Sequence, residues 1–180
     1  MSISKFLPVA LMIGIVAAIW MIISGKMGLV PWVPFLSWAL FFGAGAGKFK
    51  RVPKEVIGLT GGVVAAVVLL YLLPVANGIF GATWGLPVLV FLAATIIVLL
   101  ELTNWFELAP AYFYSFAGFF AYLFGGFAGT TTMNPQLIIT FWVLLLVGTG
   151  LGVLTGFLRG TILGALGVPA DQRKTIFDKE

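Results

Sequence analysis

Long stretches of this sequence, such as Phe6–Ser24 and Leu108–Leu158, contain no charged residue at all. About 20 consecutive apolar residues are enough for a helix to cross the hydrocarbon of a bilayer. Inside that hydrocarbon every backbone N–H and C=O must be bonded internally, so only helices and closed barrels can span it. Charged residues make up 9% of the 180 and hydrophobic ones 61%, against roughly a quarter charged in soluble domains. The chain therefore reads as an all-α integral membrane protein.

Turn chemistry divides it into six predicted spans, at 6–24, 30–47, 54–75, 84–103, 108–126 and 135–158. The breaks are Ser24-Gly25-Lys26, the basic GKFKRVPKE, Pro74 to Gly81, Thr103 to Glu107, and GTTTMNPQ. Pro53 and Pro135 sit where helices would begin, in a turn whose N–H groups have no intrahelical partner anyway. Lys5 is the single basic residue ahead of the first run, and no small-x-small cleavage site follows that run, so 6–24 is read as a helix and not as a leader.

Basic residues set the orientation. With six spans and the N-terminus inside, every lysine and arginine except Lys26 is cytoplasmic, from Lys5 through Lys48, Lys50, Arg51 and Lys54 to Arg159, Arg173, Lys174 and Lys179. Five spans would put the basic C-terminus on the wrong face. The loop at 48–54 then acts as a topology anchor beside anionic headgroups, which accounts for the net charge of +4 without nucleic acid.

The two halves echo each other. Leu7-Pro8-Val9 recurs as Leu86-Pro87-Val88, and Leu29-x-Pro31 as Leu108-x-Pro110. Ser37, Ala39, Phe41 and Phe42 recur as Ser115, Ala117, Phe119 and Phe120, and Pro53 is answered by Pro135. The predicted fold is thus two three-helix repeats, 1–78 and 79–168, followed by a charged cytoplasmic tail at 169–180. Three is odd, so the second repeat enters the membrane from the opposite side. Inverted repeats of this kind build many transporters, with the solute path at the repeat interface; the plainer reading is a compact bundle made by duplication.

Small residues recur every four positions: Gly148, Gly152, Gly156, Gly160 and Gly164 in the last helix, and Gly58, Gly62 and Ala66 in the third. The fifth has Ala117, Ala121, Gly125 and Gly129, and the first Ala10, Gly14 and Ala18. Missing side chains let backbones approach, and in lipid that packing drives association. Gly58, Gly62, Gly148, Gly152 and Gly156 are the expected helix-packing positions, within the chain or in a homo-oligomer.

Enzymatic readings lack reactive groups. There is no cysteine and no histidine, which removes thiolate chemistry, Cys-ligated metals, the commonest general base and the usual transition-metal ligand. No cofactor or metal is expected. With Glu55 counted in the basic break GKFKRVPKE, five of the six acidic residues fall in predicted loops or tails. Glu101 lies just inside a helix end, where it either snorkels or, with Thr103 and Asn104, serves a cation or proton. Ionisable groups at midplane depth, which ion-coupled transport usually needs, are not found.

Neutral polar groups remain. Ser37 and Ser115 each lie near the middle of a predicted helix, with Trp38, Phe41, Phe42, Phe116, Phe119 and Phe120 around them. Hydroxyls among aromatic rings suit a small uncharged solute, because phenylalanine excludes hydrated ions. Equally, each serine could bond a carbonyl one turn back in its own helix. Thr130, Thr131, Thr132 and Asn134 form either an uncharged outer vestibule or simply a loop, in which Asn134 caps the last helix. Trp32 and Trp105 are expected at the membrane interfaces.

The stretch PFLSWALFFGAGAG at 34–47, with the small-and-aromatic helix at 111–126, resembles the YcdZ-like family of small bacterial inner-membrane proteins. That resemblance implies a multi-pass location in the bacterial inner membrane and brings no catalytic residues. The expected function is passive passage of a small neutral polar solute of the urea, ammonia, short amide or alcohol class. The alternative is a non-transporting scaffold or subunit of a larger membrane complex. The expected partners are the lipid bilayer, the solute and further copies of the chain.

Overall fold

The structure, a computed structural model, describes residues 3–44 and 48–169. Beyond Pro169, the charged tail expected at 169–180 lies outside the described residues. Six α-helices carry the described chain: α1 (Ile3–Met27), α2 (Trp32–Phe42), α3 (Val52–Phe80), α4 (Gly85–Leu99), α5 (Ala109–Phe124) and α6 (Pro135–Ala165). Single 3-10 turns at Phe49–Arg51 and Leu100–Leu102 adjoin α3 and α4.

Among the described residues, four helical stretches are long and apolar enough to cross a membrane: Ile3–Met27, Phe49–Phe80, Gly85–Leu102 and Pro135–Ala165. The chain is a membrane protein on that ground. α2 has 11 residues and α5 has 16, which rise about 16 and 24 Å at 1.5 Å per residue, against hydrocarbon about 30 Å thick.

Several helix ends differ from the sequence expectation, each for a local reason. α1 continues past Ser24 and turns at Gly28, whose φ of 63° is left-handed; there the Leu29 N–H donates to the Ser24 carbonyl at 2.9 Å. α3 runs through Pro74 to Phe80, because one missing backbone donor is tolerated in a membrane helix. α6 passes Arg159 and stops six residues later at Ala165, closed by a Val168 N–H to Leu163 carbonyl bond of 3.0 Å. Neither a charge nor a proline stopped these helices. α2, conversely, ends at Phe42, where the Gly43 N–H bonds Ala39. The glycine and alanine residues that follow offer no bulk to pack, and each glycine weakens a helix by ~1 kcal/mol.

The helices sort into two compact units. The first takes the chain up to Val52 and from Leu144 onward, so it holds α1, α2 and most of α6. Val9 of α1 is buried with Leu163 and Val168, flanked by Met12, Ile13 and Ile162; the start of α1 thus meets the end of α6, and these helices run antiparallel. The Trp20 indole N–H donates to the Pro31 carbonyl at 2.8 Å and ties α1 to the start of α2. Pro34 and Ser37 lie at Gly148, and Phe41 at Gly152 and Gly156. α2 therefore runs parallel to α6.

The second unit is Pro53–Val143, holding α3, α4, α5 and the first turns of α6. Here Gly58 faces Leu108 and Ala111, and Gly62 faces Tyr112 and Ser115, so α3 and α5 are parallel. Ile97 of α4 is buried with Ala109 and Tyr112. Phe141 meets Phe119 edge-on with centroids 5.5 Å apart, and the Trp142 indole donates to Thr60 Oγ1 at 3.0 Å. Lys54 at the start of α3 pairs with Glu107 at 2.6 Å.

The long helices fall into two pairs by burial. The apolar windows of α1 and α4 are each only 11% buried, while those of α3 and α6 reach 33% and 39%. α1 and α4 are thus the lipid-facing helices of their units and α3 and α6 the central ones. The compact units also exchange third helices relative to the expected repeats, since α3 packs with α4 and α5, and most of α6 with α1 and α2.

Candidate functional site: two serine–glycine seams

Each unit contains a crossing of a short helix on a long one, and each crossing holds one of the two serines. A methyl group at Gly148 would overlap the Pro34 carbonyl oxygen and Ser37 Oγ; one at Gly62 would overlap the Tyr112 carbonyl oxygen and Ser115 Oγ. In both seams the crowded carbonyl belongs to the residue three before the serine. The geometry needs a residue without a Cβ on the long helix and a small polar one on the short helix. Both serines are fully buried.

Their hydroxyls are differently engaged. Ser37 Oγ donates across the seam to the Leu145 carbonyl at 2.6 Å and lies 3.3 Å from the Pro34 carbonyl. Ser115 Oγ stays on its own helix, 3.0 Å from the Ala111 carbonyl and 3.2 Å from that of Tyr112. Back-bonding of this kind is the local alternative to ligand binding. Of the side chains expected to line a path, Ser37, Trp38, Phe41, Ser115 and Phe119 are buried within their units, and Phe42, Phe116 and Phe120 are half-buried.

The surrounding aromatics complete the packing. Phe41 is fully buried over Gly152 and Gly156, where added methyl groups would crowd its ring; it also meets Phe42 edge-on at 5.1 Å. Phe119 is fully buried against Phe141, while half-buried Phe116 and Phe120 meet at 4.9 Å. Trp38 stacks on Phe35 and donates its indole N–H to Thr155 Oγ1 at 2.9 Å. Sequence reasoning missed Thr155, which is fully buried one turn after Leu151 and bonds that carbonyl at 2.7 Å.

The small-residue stripes divide. Gly58, Gly62, Gly148 and Gly152 are buried in helix contacts, and Gly156 lies under Phe41. Ala10, Gly14 and Ala18 of α1 and Ala117 and Ala121 of α5 are exposed, and Gly160 has open space where its side chain would be. Spacing of four identifies a face, but not whether another helix covers it.

At 129–136 the backbone accounts for most of the polarity. Asn134 Oδ1 accepts the Leu137 N–H at 2.9 Å, which makes it the cap of α6. Thr130 Oγ1 accepts the Thr132 N–H at 3.0 Å, and Thr131 and Thr132 are exposed.

The acidic residues need a correction. Glu101 is exposed in the turn after α4, whereas Glu55, expected in a loop, lies in the first turn of α3 and is fully buried. The signal was Pro53 with an acid two residues on, a helix start whose partial positive charge favours a carboxylate. Neighbouring Lys50, Arg51 and Lys54 mark the segment as a basic topology anchor, which draws attention away from its one acid.

A family model described as a protein of unknown function matches residues 10–163. No curated protein and no solved structure shows significant similarity to the chain.

Proposed function

The chain belongs to the DUF1097 family of proteins of unknown function, and on that premise we propose that it is a passive facilitator for a small neutral polar solute, built from two inverted three-helix repeats in the bacterial inner membrane. The observation that carries this reading is the recurrence of one seam in both units, a buried serine on a short helix against a glycine on a long one. The paired exposure of α1 with α4, and of α3 with α6, supports the same duplication.

Six crossings fit the short helices. Phe49, beyond the end of α2, lies at Gly156 and has its ring 6.0 Å from Phe41, whereas Pro34 lies at Gly148. Contacts that advance along α6 from Gly148 to Gly156 support a crossing segment over a returning one. Four crossings, with α2 and α5 re-entrant, would put Lys48, Lys50, Arg51 and Lys54 opposite Lys5. Six put all of these on one face, in keeping with the positive-inside rule, with both termini cytoplasmic.

In this reading the solute replaces a backbone carbonyl as the partner of a serine hydroxyl. The exchange is cheap: interhelical hydrogen bonds in membranes average about 0.6 kcal/mol. Phe41 and Phe119 beside the serines deny hydrated ions any compensation. Stopped-flow light scattering on proteoliposomes tests the proposal across urea, short amides and short alcohols. Flux above that of empty vesicles is expected, and Ser37→Ala with Ser115→Ala lowers it; no flux for any solute removes the reading.

The enclosure of both hydroxyls in helix seams favours a second reading, a non-transporting scaffold. Stoichiometric co-purification of another membrane protein, without flux, selects it.

A further inference from the structure

A cavity of about 500 Å³ runs between α3 and α4 in the second unit, from Ile57 to Leu72 on one wall and from Leu89 to Leu100 on the other, with Tyr112 of α5 in its lining. Val64, Val68 and Leu72 of α3 and Leu92 and Ile96 of α4 are exposed along its rim, so it opens toward lipid. Every other lining side chain is apolar or absent. The Tyr112 hydroxyl is the exception: the residue is 3% exposed, and its oxygen has no hydrogen-bond partner. A buried hydroxyl without a partner is costly in an apolar medium.

Shape and polarity select the occupant. From Ile57 to Leu72 the α3 wall rises about 22 Å, more than the ~15 Å of one hydrocarbon leaflet. Tyr112 packs on Gly61, at the Ile57 end. Lys54 lies a further ~10 Å along the helix axis beyond Gly61 and is partly exposed beside Glu107. Reading along α3 from Lys54, the order is a cation paired with the Glu107 carboxylate, a hydrogen-bond donor and an apolar trough. A glycerophospholipid has the complementary order of phosphate, ester carbonyl and acyl chain. A second copy of the chain would leave the recessed Tyr112 hydroxyl unpaired, and a fatty acid would bring its carboxylate to an apolar depth with no cation beside it.

We propose that this cavity holds one acyl chain of a membrane glycerophospholipid, with an ester carbonyl accepting the Tyr112 hydroxyl and the phosphate lying toward Lys54. The proposal is independent of the transport reading.

Ether-linked lipid, which lacks the ester carbonyls, supplies the test. Purified full-length chain in detergent is titrated with ester- and ether-linked phospholipids of equal chain length, and bound lipid is read by native mass spectrometry. The wild type binds the ester-linked lipid about three- to tenfold more tightly, the span of one net hydrogen bond. Tyr112→Phe binds both at the ether-linked level. Ala93→Trp, which fills the trough, weakens both at least about tenfold, the loss expected on excluding apolar chain. Equal wild-type affinities, an ester preference surviving in Tyr112→Phe, or unchanged binding by Ala93→Trp each overturn the proposal. If Ala93→Trp does not fold, the ester–ether comparison in the other two proteins still decides.

Discussion

Trp38 and Thr155 meet between α2 and α6, the indole N–H donating to the threonine hydroxyl at 2.9 Å with both residues buried. Thr155 Oγ1 donates in turn to the Leu151 carbonyl at 2.7 Å, so one hydroxyl serves both helices. Valine has the same outline and cannot accept the indole proton. Thr155→Val is expected to lower stability by about 1–2 kcal/mol, between membrane hydrogen-bond values and the cost of an unpaired buried donor. Thr155→Ser should restore most of it, read as the thermal midpoint in detergent.

The glycine seams predict a contrast two residues apart. Gly148→Ala drives a methyl group into the Pro34 carbonyl and Ser37 Oγ, and backbone cannot move aside as a flexible side chain can. A loss of about 1–3 kcal/mol is expected. Gly150→Ala meets nothing within 4 Å and should be neutral or gain up to ~1 kcal/mol from helix propensity. Equal effects at the two positions would mean that α2 does not lie against this face of α6.

A cysteine-free chain suits single-cysteine labelling without background. Lys26→Cys and Thr131→Cys should react with impermeant reagent from outside, and Lys50→Cys only after the membrane is opened. Labelling of Lys26→Cys and Lys50→Cys from one face would show that α2 returns without crossing, and the inverted-repeat reading would fall with it.

The Lys54–Glu107 pair should matter little to stability. Both side chains are about a third exposed, at 27% and 37%, and pairs of that kind contribute less than about 1 kcal/mol. Lys54→Met is expected to shift the thermal midpoint only slightly, and less in high salt.

Much of this architecture is written in the apolar runs, and what they conceal has identifiable causes. Apolarity continues through Gly43 and Ala44, so a hydropathy pattern extends α2, although glycine disfavours the helix that ends at Phe42. Pro74 reads as a stop, yet α3 continues because an apolar environment strengthens the remaining backbone bonds. The duplication of Ser37 and Ser115 is visible in sequence, as is the four-residue spacing around Gly62 and Gly148. Their pairing across the bundle is not, because spacing carries no information about which helix lies opposite. Glu55 escaped for the reverse reason: its basic neighbours suggest solvent, while its burial depends on tertiary packing.

Among lipid tails a leucine gains nothing by touching another leucine, so the exposed faces of α1 and α4 away from their buried contacts and the cavity can trade one oily residue for another with little consequence. What distinguishes this arrangement of helices from its rivals is where matter is missing, at Gly62 and Gly148. Anyone wishing to redirect the helices would do so by relocating such hollows, since bulk added on open faces, as at Gly150, would leave the helices indifferent to their partners.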